Sequence, residues 1–148
     1  MSEPKKNTKY ELTEDQQLEM NNILESFKRE QIYLTSCGFK PDDKKDDGDF
    51  DTERIAKLLI EIPMIFTQRK SINKNISSYG LKHQIEHYFS KRPLTESKNA
   101  YCANGDFIIA MLLLGYRHDK IKPNYPNCCF NWTYANKRNY CGYSSNID

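Results

Sequence analysis

The sequence predicts a mainly α-helical fold: a small domain of about four helices closed by a short C-terminal extended segment or strand. Three observations carry that expectation. Apolar residues recur at helical spacing, at Met20, Ile23, Leu24, Phe27 and Leu34 and again at Ile55, Leu58, Leu59 and Ile62. Polar residues suited to capping stand just ahead of the apolar runs, at Thr13, Asp51, Ser77 and Asn104. The run from Phe107 to Leu114 is apolar all round, the mark of a helix covered on most sides.

Residues 1–12 are polar and read as a disordered tail. Thr13-Glu14-Asp15-Gln16 has the form of a capping box, with the Thr13 hydroxyl and the Gln16 amide each satisfying an N–H group at the helix start. The first helix is expected to run through about residue 32, and Gly38 and Pro41 end this region. Pro41 to Asp51 reads as a charged loop. Asp51 or Thr52 caps a second helix, which Pro63 must interrupt or restart, because proline lacks an N–H and crowds the preceding turn. Residues 13–70 thus form an N-terminal helical region, and the polar, basic stretch Gln68 to Asn75 links it to the C-terminal half.

The C-terminal segment, 77–134, begins with Ser77 or Ser78 as cap of a third helix carrying Leu81, Ile85, Tyr88 and Phe89 near one face; Lys91-Arg92-Pro93 closes it. Asn104 is the expected cap of the fourth helix, with Asp106 favourably placed against the helix dipole. Phe107, Ile108, Ile109, Met111, Leu112 and Leu113 should be buried, and Gly115 suits a left-handed stop. Asn127 to Thr133 reads as a short strand or a strap across the helices, and 135–148 as a flexible tail.

At 148 residues, a single domain is expected, with 18 aromatic side chains available to a modest core. The net charge of +2 is uneven: residues 1–76 hold 13 Lys/Arg against 15 Asp/Glu, and residues 77–148 hold 9 against 5. That asymmetry permits a polyanionic partner without requiring one. No window approaches the roughly 18–20 apolar residues of a membrane span, and the first residues lack the apolar core of a signal peptide. The expectation is an intracellular protein, not secreted, with no membrane partner, whose five cysteines are free thiols.

Several patterns invite a catalytic reading and do not sustain it. His83-Gln84-Ile85-Glu86-His87 has the H-x-x-E-H spacing that sets two imidazoles and a carboxylate along one helix, as in inverted zinc peptidases. Such a site needs a third protein ligand, and the only glutamate after His87 is Glu96. A zinc held by His83, His87, Cys102 and one of Cys128, Cys129 or Cys141 would want close ligand pairs of the C-x-x-C kind, and there are none. The acidic run 43–51 resembles a calcium loop, but Arg54 stands where the bidentate glutamate belongs. No glycine-rich phosphate loop occurs, and nothing local marks an activated cysteine. No catalysis, cofactor or metal is expected.

The basic stretch gives the leading expectation. From Arg69 to Arg92 there are six basic residues against one acid, Glu86, around the helix start at Ser77 and Ser78. Lys74, Ser78, Tyr79, Lys82, Lys91 and Arg92 are the expected nucleic-acid-binding residues: free N–H groups and ammonium groups hold phosphate, and aromatic rings, with Tyr125, Trp132 and Tyr134 downstream, stack on bases.

Four blocks, Ser-Tyr-Gly-Leu-Lys-His at 78–83, Tyr-Cys-Ala-Asn-Gly-Asp-Phe-Ile-Ile-Ala at 101–110, Leu-Gly-Tyr at 114–116 and Pro-Asn-x-x-Phe-Asn at 126–131, resemble in the same order small uncharacterised proteins of phages and large DNA viruses. That resemblance covers about 56 residues, brings no activity with it, and implies a viral protein of the host cytoplasm or the virion. The usage of 16 Lys, 6 Arg and 13 Asn also suits an AT-rich genome. Together these readings lead to a small viral nucleic-acid-associated or regulatory binding module. The alternative is a structural component of a large DNA virus, either of the virion or bound to another viral protein, and a zinc-dependent hydrolase is a distant third.

Overall fold

In a computed structural model, which describes residues 10–41, 48–91 and 101–135, the chain runs α1 (Glu14–Arg29), β1 (Tyr33–Thr35), β2 (Gly38–Lys40), α2 (Thr52–Ile65), β3 (Phe66–Gln68), α3 (Ser78–Ser90), α4 (Asn104–Leu113) and β4 (Trp132–Tyr134). The mainly α expectation therefore needs correction. Among the described residues, four helices share the fold with two antiparallel two-stranded sheets, a mixed α/β arrangement. Both sheets lie where sequence pattern is weakest, since three-residue strands are too short to display a period of two.

The first sheet is a hairpin in which Leu34 faces Phe39 and Thr35 faces Gly38. Its turn is held by the Thr35 side chain, which donates to the Gly38 carbonyl at 2.9 Å and accepts from the Cys37 N–H at 3.1 Å. Gly38, at φ +120°, has the Pro126 carbonyl 2.5 Å from where a Cβ would stand. The second sheet pairs β3, expected to lie in and beside a linker, with β4, the expected strap: Phe66 opposes Tyr134 and Gln68 opposes Trp132.

The helix starts follow local chemistry in part. The Thr13–Gln16 capping box forms with both reciprocal bonds, at 2.9 and 3.1 Å. Asp51 caps α2 by accepting the Arg54 N–H at 3.0 Å. Ser77 precedes α3 but makes no side-chain cap bond, and the residue before α4 is Ala103 rather than the expected Asn104. The expected break at Pro63 does not occur. Proline sits in the last turn of α2 on the exposed side, where its missing bond affects least, while buried Ile62 and Ile65 anchor that turn.

The stops of α1 and α4 are the same Schellman arrangement. Ile32 N–H returns to the Phe27 carbonyl and Gln31 N–H to that of Lys28, ending α1 at Arg29, short of the expected residue 32. Tyr116 N–H returns to Met111 and Gly115 N–H to Leu112. The left-handed position is Gly115 in one, as expected, and Gln31 in the other.

The core is organised around α4, which packs against α1, α2, α3 and β2. Phe107 through Met111 are fully buried; Leu112 and Leu113, also expected in the core, are only partly covered as the helix leaves it. Phe66, Trp132 and Tyr134 form an aromatic cluster with ring centroids 5.0–5.9 Å apart, and the Tyr134 hydroxyl donates to the Gln84 side chain at 2.7 Å. Among the described residues, no helix is long and apolar enough to cross a membrane. Of the expected tails 1–12 and 135–148, Leu12 packs against the core and Ala135 N–H bonds to the Ile65 carbonyl; residues 1–9 and 136–148, residues 42–47 of the acidic loop, and residues 92–100, with Arg92 and Glu96, lie outside the described residues.

Candidate functional site

A cavity of about 360 Å³ opens beside the first turn of α3, a volume within the range of small ligand pockets, roughly 300–1,000 Å³. Three stretches build it. Lys74, Asn75 and Ser77 come from the segment between β3 and α3. Asp119, Lys120, Lys122 and Tyr125 come from the segment after α4. Asn127, Cys128 and Cys129 form the back wall. Lys74, Lys120 and Lys122 are all exposed, and the Lys122 ammonium lies 5.6 Å from the centre of the Tyr125 ring. Asp119 is the one acid of the wall, and its carboxylate accepts the Cys129 N–H at 2.9 Å. The wall therefore carries three cations against one hydrogen-bonded carboxylate, next to the positive end of a helix.

Asparagines keep that wall in place. Asn73, fully buried, donates its backbone N–H to the Phe130 carbonyl and its side-chain amide to the Trp132 carbonyl, at 2.8 and 3.2 Å. Asn131 accepts the Arg117 N–H at 2.7 Å and donates to the Arg69 carbonyl at 2.9 Å and to Gln68 Oε1 at 3.2 Å. The Cys128 backbone N–H donates to the Ser78 hydroxyl at 3.3 Å, and its carbonyl accepts the Ser78 N–H at 2.7 Å. Leaving these groups buried without partners would cost a few kcal/mol each, so the strap's position is strongly specified.

Only part of the expected binding set converges here. Lys74 lines the cavity. Ser78 is fully buried, its N–H donating to the Cys128 carbonyl and its hydroxyl accepting the Cys128 N–H, so burial keeps it from a phosphate. Tyr79 is half exposed just beyond the rim. Lys82 points inward, 5% exposed, and its ammonium is 2.9 Å from Glu86 and 5.2 and 4.9 Å from the ring centres of Tyr79 and Tyr101. The i,i+4 spacing of Lys82 and Glu86 is the signal for that pair. Lys91 is exposed but caps the far end of α3, about 20 Å along the helix. Arg92 lies outside the described residues. Of the aromatics expected to stack, Tyr125 lines the cavity, whereas Trp132 and Tyr134 are core residues. Lys120 and Lys122 are not in the expected set. Their closeness to Tyr125 in sequence is a faint signal, and only the fold brings them to Lys74.

The H-x-x-E-H segment serves structure. Glu86 accepts the Cys102 N–H at 2.8 Å, pairs with Lys82, and lies 3.0 Å from His83 Nδ1, so the carboxylate that would act as base is already committed. His83 is exposed and meets Tyr79 edge-on at 4.5 Å. Among the described residues, no three His, Cys, Asp or Glu side chains are grouped to hold a metal ion, and Cys141 lies outside them. Burial pushes the thiols of Cys102 and Cys128 well up. In the cavity wall, burial and then Asp119 raise that of Cys129, against the opposing pull of Lys122 and Lys74. These thiols stay protonated at neutral pH and are poor nucleophiles.

Asn104-Gly105-Asp106 is likewise occupied by the fold. Gly105 donates to the Ser36 carbonyl at 2.8 Å, and a Cβ there would lie 1.8 Å from the Thr35 carbonyl oxygen. The Asn104 amide donates to Asn127 Oδ1 at 2.9 Å and to the Pro126 carbonyl at 3.3 Å. Asp106 accepts the Asp51 N–H at 3.2 Å, and burial, helped by the nearby Asp51 charge, pushes its carboxyl up to about 7 despite that bond and Arg54. The four sequence blocks are thus largely accounted for by packing among themselves and against the β1–β2 turn. In comparisons with known proteins, the chain matches no family model, and neither a curated protein nor a solved structure is significantly similar to it.

Proposed function

We propose that this chain is a small, non-catalytic nucleic-acid-associated binding module of viral origin, which takes the phosphate backbone of its partner into the cavity beside α3. The observation that carries this reading is the meeting of Lys74, Lys120 and Lys122 around one concave site. Three exposed lysines from two separate stretches of chain line one cavity, and their positive charge favours a bound phosphate while counterions are released from the nucleic acid. Lys82 has no part in it.

Binding of labelled single- and double-stranded DNA and RNA to the full chain, followed by fluorescence anisotropy across a salt series, tests the reading. Affinity should be largely independent of sequence and fall steeply with salt. Replacing Lys74, Lys120 and Lys122 together by Gln should flatten the slope of log K against log salt by about 0.7–0.9 for each phosphate no longer neutralised. Absence of binding at low salt to every one of these polymers overturns it. A second reading, a structural component that docks on another protein, draws on Ile60 and Met64, exposed one turn apart on α2. Introducing charge at both, Ile60→Glu with Met64→Glu, would abolish such docking and leave polymer binding intact.

A further inference from the structure

Apart from the cavity, Tyr79 of α3 and Tyr101 ahead of α4 form an exposed aromatic patch with no role in the core. Tyr79 is 50% exposed and Tyr101 70% exposed, although both flank the same buried ammonium, that of Lys82. The Lys82–Glu86 pair fixes that ammonium, and the edge-on contact with His83 steadies the Tyr79 ring. Tyr79 follows Ser77 of the cavity rim by two residues, so the backbone of the patch begins within about 8 Å of the cavity wall.

Resting on the phosphate reading, we propose that the partner is single-stranded: one phosphate sits among Lys74, Lys120 and Lys122 while a neighbouring base stacks on the Tyr79–Tyr101 surface. In a duplex, both faces of each internal base are already stacked, so the exposed rings would meet only backbone. A single strand can turn a base outward, and the stack tolerates any base because each has a flat face. The charge of the adjacent cavity selects this occupant over an apolar protein segment, which gains nothing from three lysines.

The experiment compares single-stranded with fully paired DNA of one sequence against the full chain and against Tyr79→Ala, Tyr79→Phe and Tyr101→Ala. Tighter single-strand binding is expected, weakened about 5- to 160-fold by Tyr79→Ala, the range for loss of one stacked base. Tyr79→Phe should keep that affinity, and quenching of tyrosine fluorescence should accompany binding. Tyr101→Ala supplies the test should Tyr79→Ala fail to fold, because its ring is the more exposed. If duplex and single strand bind alike and neither alanine variant matters, while the triple lysine variant still weakens binding, the single-strand inference is overturned and the phosphate reading stands. If no polymer binds at low salt, both fall. Binding of a peptide at the tyrosines, with no polymer displacing it, would also overturn the inference.

Discussion

The first turns of α3 and α4 begin from similar material, Ser77-Ser78-Tyr79 and Asn104-Gly105-Asp106, and end in opposite surroundings. At α4 the chain covers the start completely. The β1–β2 turn takes the Gly105 N–H, Asp51 engages the Asp106 carboxyl, and Asn127 takes the Asn104 amide. At α3 the cover is partial: Cys128 engages Ser78, while Ser77 borders the cavity and Tyr79 reaches solvent. A polar, glycine-containing helix start is an anion site only where the rest of the chain leaves it open. Here the start that most resembles a motif is the closed one.

The largest effect is expected at Gly105, in the closed start. Gly105→Ala drives a Cβ into the Thr35 carbonyl and must unseat the hairpin turn from α4, so a loss of at least about 3 kcal/mol is expected in urea unfolding. A loss below roughly 1 kcal/mol would mean that the turn is not docked there.

At the same closed start, Asp106 makes stability depend on pH. The folded carboxyl holds its proton up to about pH 7, against 3.8 for the ordinary group, so between those values the folded state binds more protons than the unfolded one. Stability contributed by this group therefore falls as pH rises through that window and stays low above it. Asp106→Asn keeps an acceptor for the Asp51 N–H and removes the charge. It should stabilise the protein at pH 8 by on the order of 2 kcal/mol and change little at pH 4. Melting curves of the two proteins at both pH values decide this; an unchanged gap across the range would show that the buried carboxylate costs nothing.

At α3 the effects should be smaller and divided. Ser78→Ala removes the acceptor of the Cys128 N–H and should cost about 1–2 kcal/mol, whereas Ser77→Ala, which loses no cap bond, should cost under about 0.5 kcal/mol. Equal losses at the two serines would place the cap differently. Smallest of all is the effect on stability of the triple lysine variant: its melting temperature should match the parent's even as its polymer binding weakens, since exposed lysines contribute little to folding. A marked drop in melting temperature would make those lysines structural.

Local rules read from neighbouring residues hold where one turn of chain decides the outcome. Thr13 with Gln16, Asp51 before α2 and Gly115 after α4 behave as their chemistry dictates, because capping and left-handed stops need only partners within about five residues. The same rules miss at Gln31, where the Schellman bonds end α1 on a residue that is not glycine, and at Pro63, where buried Ile62 and Ile65 hold the last turn together. They also place Lys82 at the surface although Glu86, one turn on, marks its partner.

The helices, most of their ends, and the burial of the Phe107–Met111 run were legible in neighbouring residues, because helical periodicity is a property of adjacent turns. The two sheets and the candidate site arise from contacts between distant segments. Phe66 meets Tyr134 and Lys74 meets Lys120 and Lys122 across dozens of residues, and those meetings depend on where Asn73, Ser78 and Asn131 fasten the C-terminal strap. Each fastening is a buried or part-buried hydrogen bond between distant groups, specified by what is left unpaired elsewhere in the fold rather than by any local pattern.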